Sequence, residues 1–129
     1  MKLPVFLVVL STGIHLLAYL LPQAMPEHLM DSTWPAHARF HMWQATFWLL
    51  SLDVMILLIA LFPFRMKQAW SLWVLVVGFI GSQLGYYFSI LIVREGRPDV
   101  AGADLGLLVV MVIYLAGLAL GWREIRRAS

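Results

Sequence analysis

The sequence predicts an all-α, polytopic membrane protein: an up-down-up-down bundle of four transmembrane helices. Three observations predict it. Of its 129 residues, 62% are hydrophobic and 12% charged, where a soluble domain carries about 45–50% and about 25%. Four apolar stretches each approach the about 20 residues that a helix needs to cross a ~30 Å hydrocarbon core. Together they leave no polar layer to cover them, and backbone groups in lipid must be satisfied within their own segment, which means helices. The mean hydropathy of +0.85 excludes a disordered chain. A net charge of +2 with no Lys/Arg stripe gives no support to nucleic-acid binding. The chain has no cysteine, so disulfides, thiolate metal sites and thiol nucleophiles are excluded.

The reading is a single transmembrane domain over 1–129. Its first span, 3–21, ends at Pro22. Lys2 ahead of an apolar run also begins a signal peptide, but cleavage after Ala24 would place Pro22 at the third residue before the cut, against the small-residue pattern. The segment is therefore read as a permanent helix. The second span, 40–64, belongs to a helix that begins near Pro35, with Ser32 or Thr33 able to cap it and Pro35 suited to its first turn. The third span is 69–93 and the fourth 105–122. The short FPFRMKQ connection makes spans two and three antiparallel neighbours.

Cations orient the bundle. Lys2, Arg65, Lys67, Arg123, Arg126 and Arg127 fall on one side, and Arg39, Arg94 and Arg97 on the other. The sequence thus predicts a multi-pass protein of the cell (inner or plasma) membrane with both termini cytoplasmic. Glu27, Asp31, Glu95, Asp99 and Asp104 fall on the outer side.

Candidate site residues begin on the second helix. His37 and His41 are four residues apart and share a face, with Gln44 a further turn along; Arg39 points elsewhere, in heptad register with Thr46 and Asp53. At 1.5 Å per residue, His15 lies roughly 18 Å and Asp53 roughly 15 Å from the cytoplasmic ends of their spans. The two are therefore expected to meet near the midplane, because a charged side chain at helix centre, costing about 2.5–3.5 kcal/mol to insert, needs the bundle interior and a partner. Tyr19, Gln83, Tyr86 and Tyr114 carry polar atoms at comparable depth.

These residues predict a polar pocket near the outer end of the bundle that binds, and converts by acid–base chemistry, a lipid-soluble or amphipathic small molecule. His37, His41, His15 and Asp53 are the candidate proton-transfer groups. Arg39 would hold an anionic or carbonyl oxygen, with Gln44, Tyr19, Gln83, Tyr86 and Tyr114 as ligand-binding groups. The plainer reading of His15 and Asp53 is an interhelical hydrogen bond, worth roughly 0.6 kcal/mol on average in membrane proteins.

A competing class is a non-enzymatic assembly subunit of a membrane complex. Metal binding is a further alternative, because the His37–His41 spacing can present two imidazoles to one ion, with His28, Asp31 or Glu95 as third ligand. The residue after His37 is Ala38, so the HExxH protease signature is absent. A bis-histidine haem on His15 and His41 is a last one. Gly81-x-x-x-Gly85, with Gly78 one turn earlier, permits close helix contact, inside the chain or in a homo-oligomer. No inverted repeat or broken helix pair points to a transporter.

The string Trp34-Pro35-Ala36-His37-Ala38-Arg39-Phe40-His41, followed by Gln44, resembles the approximate signature W-x-P-H-A-[RK]-[FY]-H of a family of small four-helix membrane proteins of bacteria and fungi, catalogued as a domain of unknown function. The resemblance implies the four-span layout and singles out His37, Arg39, His41 and Gln44. It implies no reaction. The layout is also similar to DoxX-like and emopamil-binding (sterol isomerase) proteins, but the acidic residues of the isomerase group are not found here in matching positions.

Overall fold

Long runs of Leu, Val, Ile and Phe without interior turn signals fold as helices, and the computed structural model, which describes residues 1–23, 31–92 and 103–128, is built from them. Helix α1 is Lys2–Gln23, α2 is Ala36–Ile59 continued by a π-helical segment Ala60–Phe64, α3 is Ala69–Ile92 and α4 is Ala103–Arg126. Three described helices, Lys2–Leu21, Ala36–Phe64 and Leu105–Arg126, are long and apolar enough to cross a membrane, one fewer than the four spans expected; the apolar stretch described in α3, Ala69–Gly85, is shorter. Pro4 is accommodated in α1 because the first turn leaves its N–H groups unbonded in any case. Helix α1 also runs through Pro22 to Gln23, beyond its expected end.

The start of α2 differs from expectation. Pro35 occupies the N-cap position, with φ −53° and ψ 137°, and no side chain caps the helix. Thr33 is engaged elsewhere: its N–H and hydroxyl donate to Asp31 Oδ1 at 2.8 and 2.7 Å. Those two bonds, the hydroxyl's above all, hold the Asp31 carboxyl below its usual range, and the positive charge of Arg39 acts in the same direction.

At the other end of α2, Pro63 lacks an N–H, and the ladder widens into the π segment around it. The wider turn undoes the angular drift that four-residue steps accumulate on an α-helix, so Ile56, Ala60 and Phe64 all face inward and are fully buried. The chain then stops in a Schellman arrangement. Lys67 N–H donates to the Phe64 carbonyl at 2.9 Å and Gln68 N–H to the Pro63 carbonyl at 3.0 Å, with Lys67 left-handed at φ 62°. A Cβ is disfavoured in that conformation. Lys67→Gly is therefore expected to raise stability by about 0.5–1 kcal/mol, read as an upward shift of the unfolding transition in detergent.

Contacts between helices run antiparallel. Along α1 and α4, which share the most extensive interface, the Met1 amino nitrogen lies 2.5 Å from Glu124 Oε2, Gly117 meets Pro4, Leu7 and Val8, and the Ser11 hydroxyl donates to the Val110 carbonyl at 2.8 Å. Helices α2 and α3 meet at Leu52 with Gly81 and at Ile56 with Gly78. Tyr114 of α4 lies against Phe79 of α3, ring centroids 5.3 Å apart, and its hydroxyl donates to the Leu75 carbonyl at 3.0 Å. Phe64 against Gly121 brings the α2–α3 turn to the end that holds the start of α1 and the end of α4.

The distribution of polarity is that of a helical membrane protein. Leu3, Phe6, Leu10, Ile14, Leu17 and Leu21 form an exposed apolar stripe along α1, and Phe47, Trp48, Trp73, Val77, Val112 and Leu115 are among the exposed apolar residues of the other helices. Buried instead are Ser11, Thr12, His15, Thr46, Asp53, Ser71, Ser82 and Gln83, beside an apolar core that includes Val8, Ile56, Leu75 and Tyr114. A water-soluble monomer rarely exposes contiguous apolar patches above a few hundred Å². Lipid solvates such a surface without cost.

Candidate functional site

Two interhelical polar contacts lie in the interior of the bundle about one turn of α1 apart. His15 Nδ1 is 3.0 Å from Asp53 Oδ2, and the two residues are 5% and 0% exposed. One turn along the same face of α1, Ser11 Oγ accepts from Gln83 Nε2 at 3.3 Å, which ties α1 to α3 while the Ser11 hydroxyl donates to α4. Ser82 neighbours Gln83 and is 4% exposed. The contacts of Gly81 with Leu52 and of Gly78 with Ile56 set Ser82 at the height of Asp53. Asp53 Oδ1, Ser82 Oγ and Gln83 Oε1 are buried and make no hydrogen bond among the described residues.

Other buried hydroxyls carry no such surplus. Thr12 donates to the Val8 carbonyl, Thr46 to that of Met42 and Ser71 to that of Gln68. Each satisfies itself within or beside its own helix, as Ser and Thr do in apolar surroundings. Tyr114 is fully buried and spends its hydroxyl on the backbone of α3, so its observed role is to fasten α4 to α3. Tyr19 is half-buried, one turn beyond His15. The side chain of Tyr86 lies outside the described residues.

On α2 the heptad register observed in the sequence becomes an inward seam. Thr46, Asp53 and Ala60 are buried and Arg39 is half-buried, with its Nε enclosed and free of hydrogen bonds among the described residues. Arg39 thus heads a seam that reaches Asp53 about 21 Å further down.

His37 and His41 take the opposite course. Both are exposed, and their Nε2 atoms lie 3.0 Å apart with the rings edge-to-face, centroids separated by 4.4 Å. Gln44, a turn further, is half-buried. His41 lies about 18 Å along α2 from Asp53, so the outer histidines and the deep pair do not form the one pocket that the sequence predicted. The cause is angular as well as axial: the face bearing His37 and His41 turns outward while the 39–46–53 seam turns in.

The same separation sets His15 and His41 at different depths, against the bis-histidine haem reading. Among the described residues no three His, Cys, Asp or Glu gather as a metal site, so Asp31 does not complete one with the outer histidines; His28 and Glu95 lie outside the described residues. Gly78 and Gly81 are turned toward α2 within the chain, whereas Gly85 has open space at its Cβ position.

The sequence sets Ser11 on a polar stripe with His15 and Tyr19, and Ser82 on one with Tyr86 and Ser89. It does not show that Ser11 joins three helices, or that Ser82 Oγ is buried without a hydrogen bond among the described residues, because spacing alone does not say which stripe faces in.

Comparisons with protein-family models, with curated proteins and with solved structures find no match for this chain.

Proposed function

We propose that this chain is a four-pass protein of the cell membrane, both termini cytoplasmic, whose interior binds the polar end of an amphipathic or lipid-soluble small molecule and exchanges a proton with it at His15. The observation that carries this reading is the set of three buried, unbonded atoms, Asp53 Oδ1, Ser82 Oγ and Gln83 Oε1, beside the His15–Asp53 contact. Leaving a buried polar atom unbonded costs about 1–3 kcal/mol, so three of them in the interior favour an occupant that hydrogen-bonds to them. With Asp53 ionised, His15 keeps its ring proton on Nδ1 and presents the Nε2 lone pair as a base; Asp53 then stabilises the imidazolium formed on proton uptake. Arg39, at the head of the seam, attracts molecules with an anionic or carbonyl oxygen.

Native mass spectrometry of the full chain from mild detergent tests this. A small-molecule adduct is expected on the wild type, with affinity about ten- to hundredfold weaker in Asp53→Ala, the loss of one charged hydrogen bond worth ~1.5–3 kcal/mol. A wild type that carries and takes up nothing would overturn the reading.

The orientation has a separate test, made clean by the absence of native cysteine. The end that gathers Lys2, Arg65, Lys67 and Arg123 outnumbers the other in cations, which favours it as cytoplasmic. Exposed Ser32 replaced by cysteine, Ser32→Cys, is expected to react with a membrane-impermeant maleimide on intact cells. Ala128→Cys is expected to react only after permeabilisation. The reverse pattern would invert the bundle.

A further inference from the structure

We propose that His37 and His41 form a divalent copper site on the exposed face of the first turns of α2, separate from the interior site. Their Nε2 atoms are already 3.0 Å apart. With metal–nitrogen bonds of about 2.0–2.1 Å, nitrogens at that spacing subtend roughly 91–97° at a shared ion.

That is the angle between neighbouring ligands of a tetragonal ion. The present 3.0 Å is a ring-to-ring hydrogen bond that gives way on binding, so it brings both lone pairs within reach of one ion, and the choice of metal rests on ligand affinity. Cu(II) stands above Ni(II) and Zn(II) in affinity for a given imidazole set. One ring now donates Nε2–H to the other; on binding, each ring carries its proton on Nδ1 and gives its Nε2 lone pair to the ion, with no net proton released from a neutral pair. Water fills the remaining positions, as the exposure of both side chains allows. Arg39, two residues from each, lies nearly opposite on the helix and has its Nε buried, so its charge does not oppose the ion.

The test uses the full chain in mild detergent, titrated with Cu(II), Ni(II) and Zn(II) salts by calorimetry and followed for Cu(II) by electron paramagnetic resonance. The expected result is one Cu(II) per chain, bound more tightly than Ni(II) or Zn(II), with hyperfine structure from two imidazole nitrogens. His37→Gln and His41→Gln should each weaken binding at least roughly tenfold while leaving helicity and unfolding temperature unchanged, because both side chains are exposed. Equal Cu(II) binding by wild type and both variants, or a wild-type spectrum with fewer than two nitrogens, would overturn the proposal. This outcome is independent of the interior site, which Asp53→Ala probes.

Discussion

His15→Leu is expected to lower stability by about 3 kcal/mol, well beyond an ordinary hydrogen bond between membrane helices. Two magnitudes compete. Hydrogen bonds between membrane helices average ~0.6 kcal/mol and reach about 1.7, whereas stripping a buried polar group of its partner costs about 1–3 kcal/mol, and more where the group is charged. The second governs here. Asp53 is fully buried and its Oδ1 already lacks a hydrogen bond among the described residues, so losing His15 strips Oδ2 as well.

Asp53→Asn keeps an acceptor for His15 Nδ1–H and should cost only about 1 kcal/mol. The double variant His15→Leu/Asp53→Leu should cost less than the sum of its parts by more than about 1 kcal/mol. Reversible unfolding in mixed micelles measures His15→Leu, Asp53→Asn, the single Asp53→Leu and the double variant. Losses no larger than ~0.6 kcal/mol throughout would make the contact ordinary interhelical glue.

Gly121→Ala is expected to be destabilising by about 2 kcal/mol: overpacking against an immobile ring costs about 3 kcal/mol, the upper end of its usual range, and alanine returns roughly 1 kcal/mol in helix propensity. A Cβ on Gly121 would overlap the Phe64 ring, whose Cε2 would stand 2.6 Å away, and Phe64 is fully buried with no space to swing. Gly117 is tight for a harder reason. One of its close neighbours is the Pro4 carbonyl oxygen at 3.0 Å, which moves only if α1 moves.

Gly85→Ala and Gly13→Ala serve as controls, because nothing lies within 4 Å of either Cβ position; these should be stabilising by up to about 1 kcal/mol. Phe64→Leu combined with Gly121→Ala should be more stable than Gly121→Ala alone, since the shorter side chain relieves the overlap. Thermal unfolding of the series in one detergent distinguishes a packing glycine from an incidental one. If Gly121→Ala behaves like Gly85→Ala, the α2–α3 turn does not dock on α4 as described.

Much of the fold was legible because the controlling physics is local. Apolar length gives helices that lipid can solvate, and period gives faces: Arg39, Thr46 and Asp53 fall on one seam by counting alone, as Ser11 and His15 do. The rest depended on contacts between distant segments. The use of Ser11 by both Gln83 and Val110 spans separations of 72 and 99 residues. The π segment was hidden as well, since Pro63 announces a disturbed ladder but not whether it bends, ends or widens.

By itself, then, the sequence determined the class of solvent, the helix-forming stretches and the helical partners of each candidate residue, all consequences of hydropathy and of a fixed rise and turn per residue. Tertiary structure alone decided which face of each helix turns inward. It joined Ser11 to α3 and α4 and left His37 and His41 facing out, because rotation about a helix axis is set by packing (small residues such as Gly78, Gly117 and Gly121 admitting a neighbour), and packing is a property of the assembled bundle.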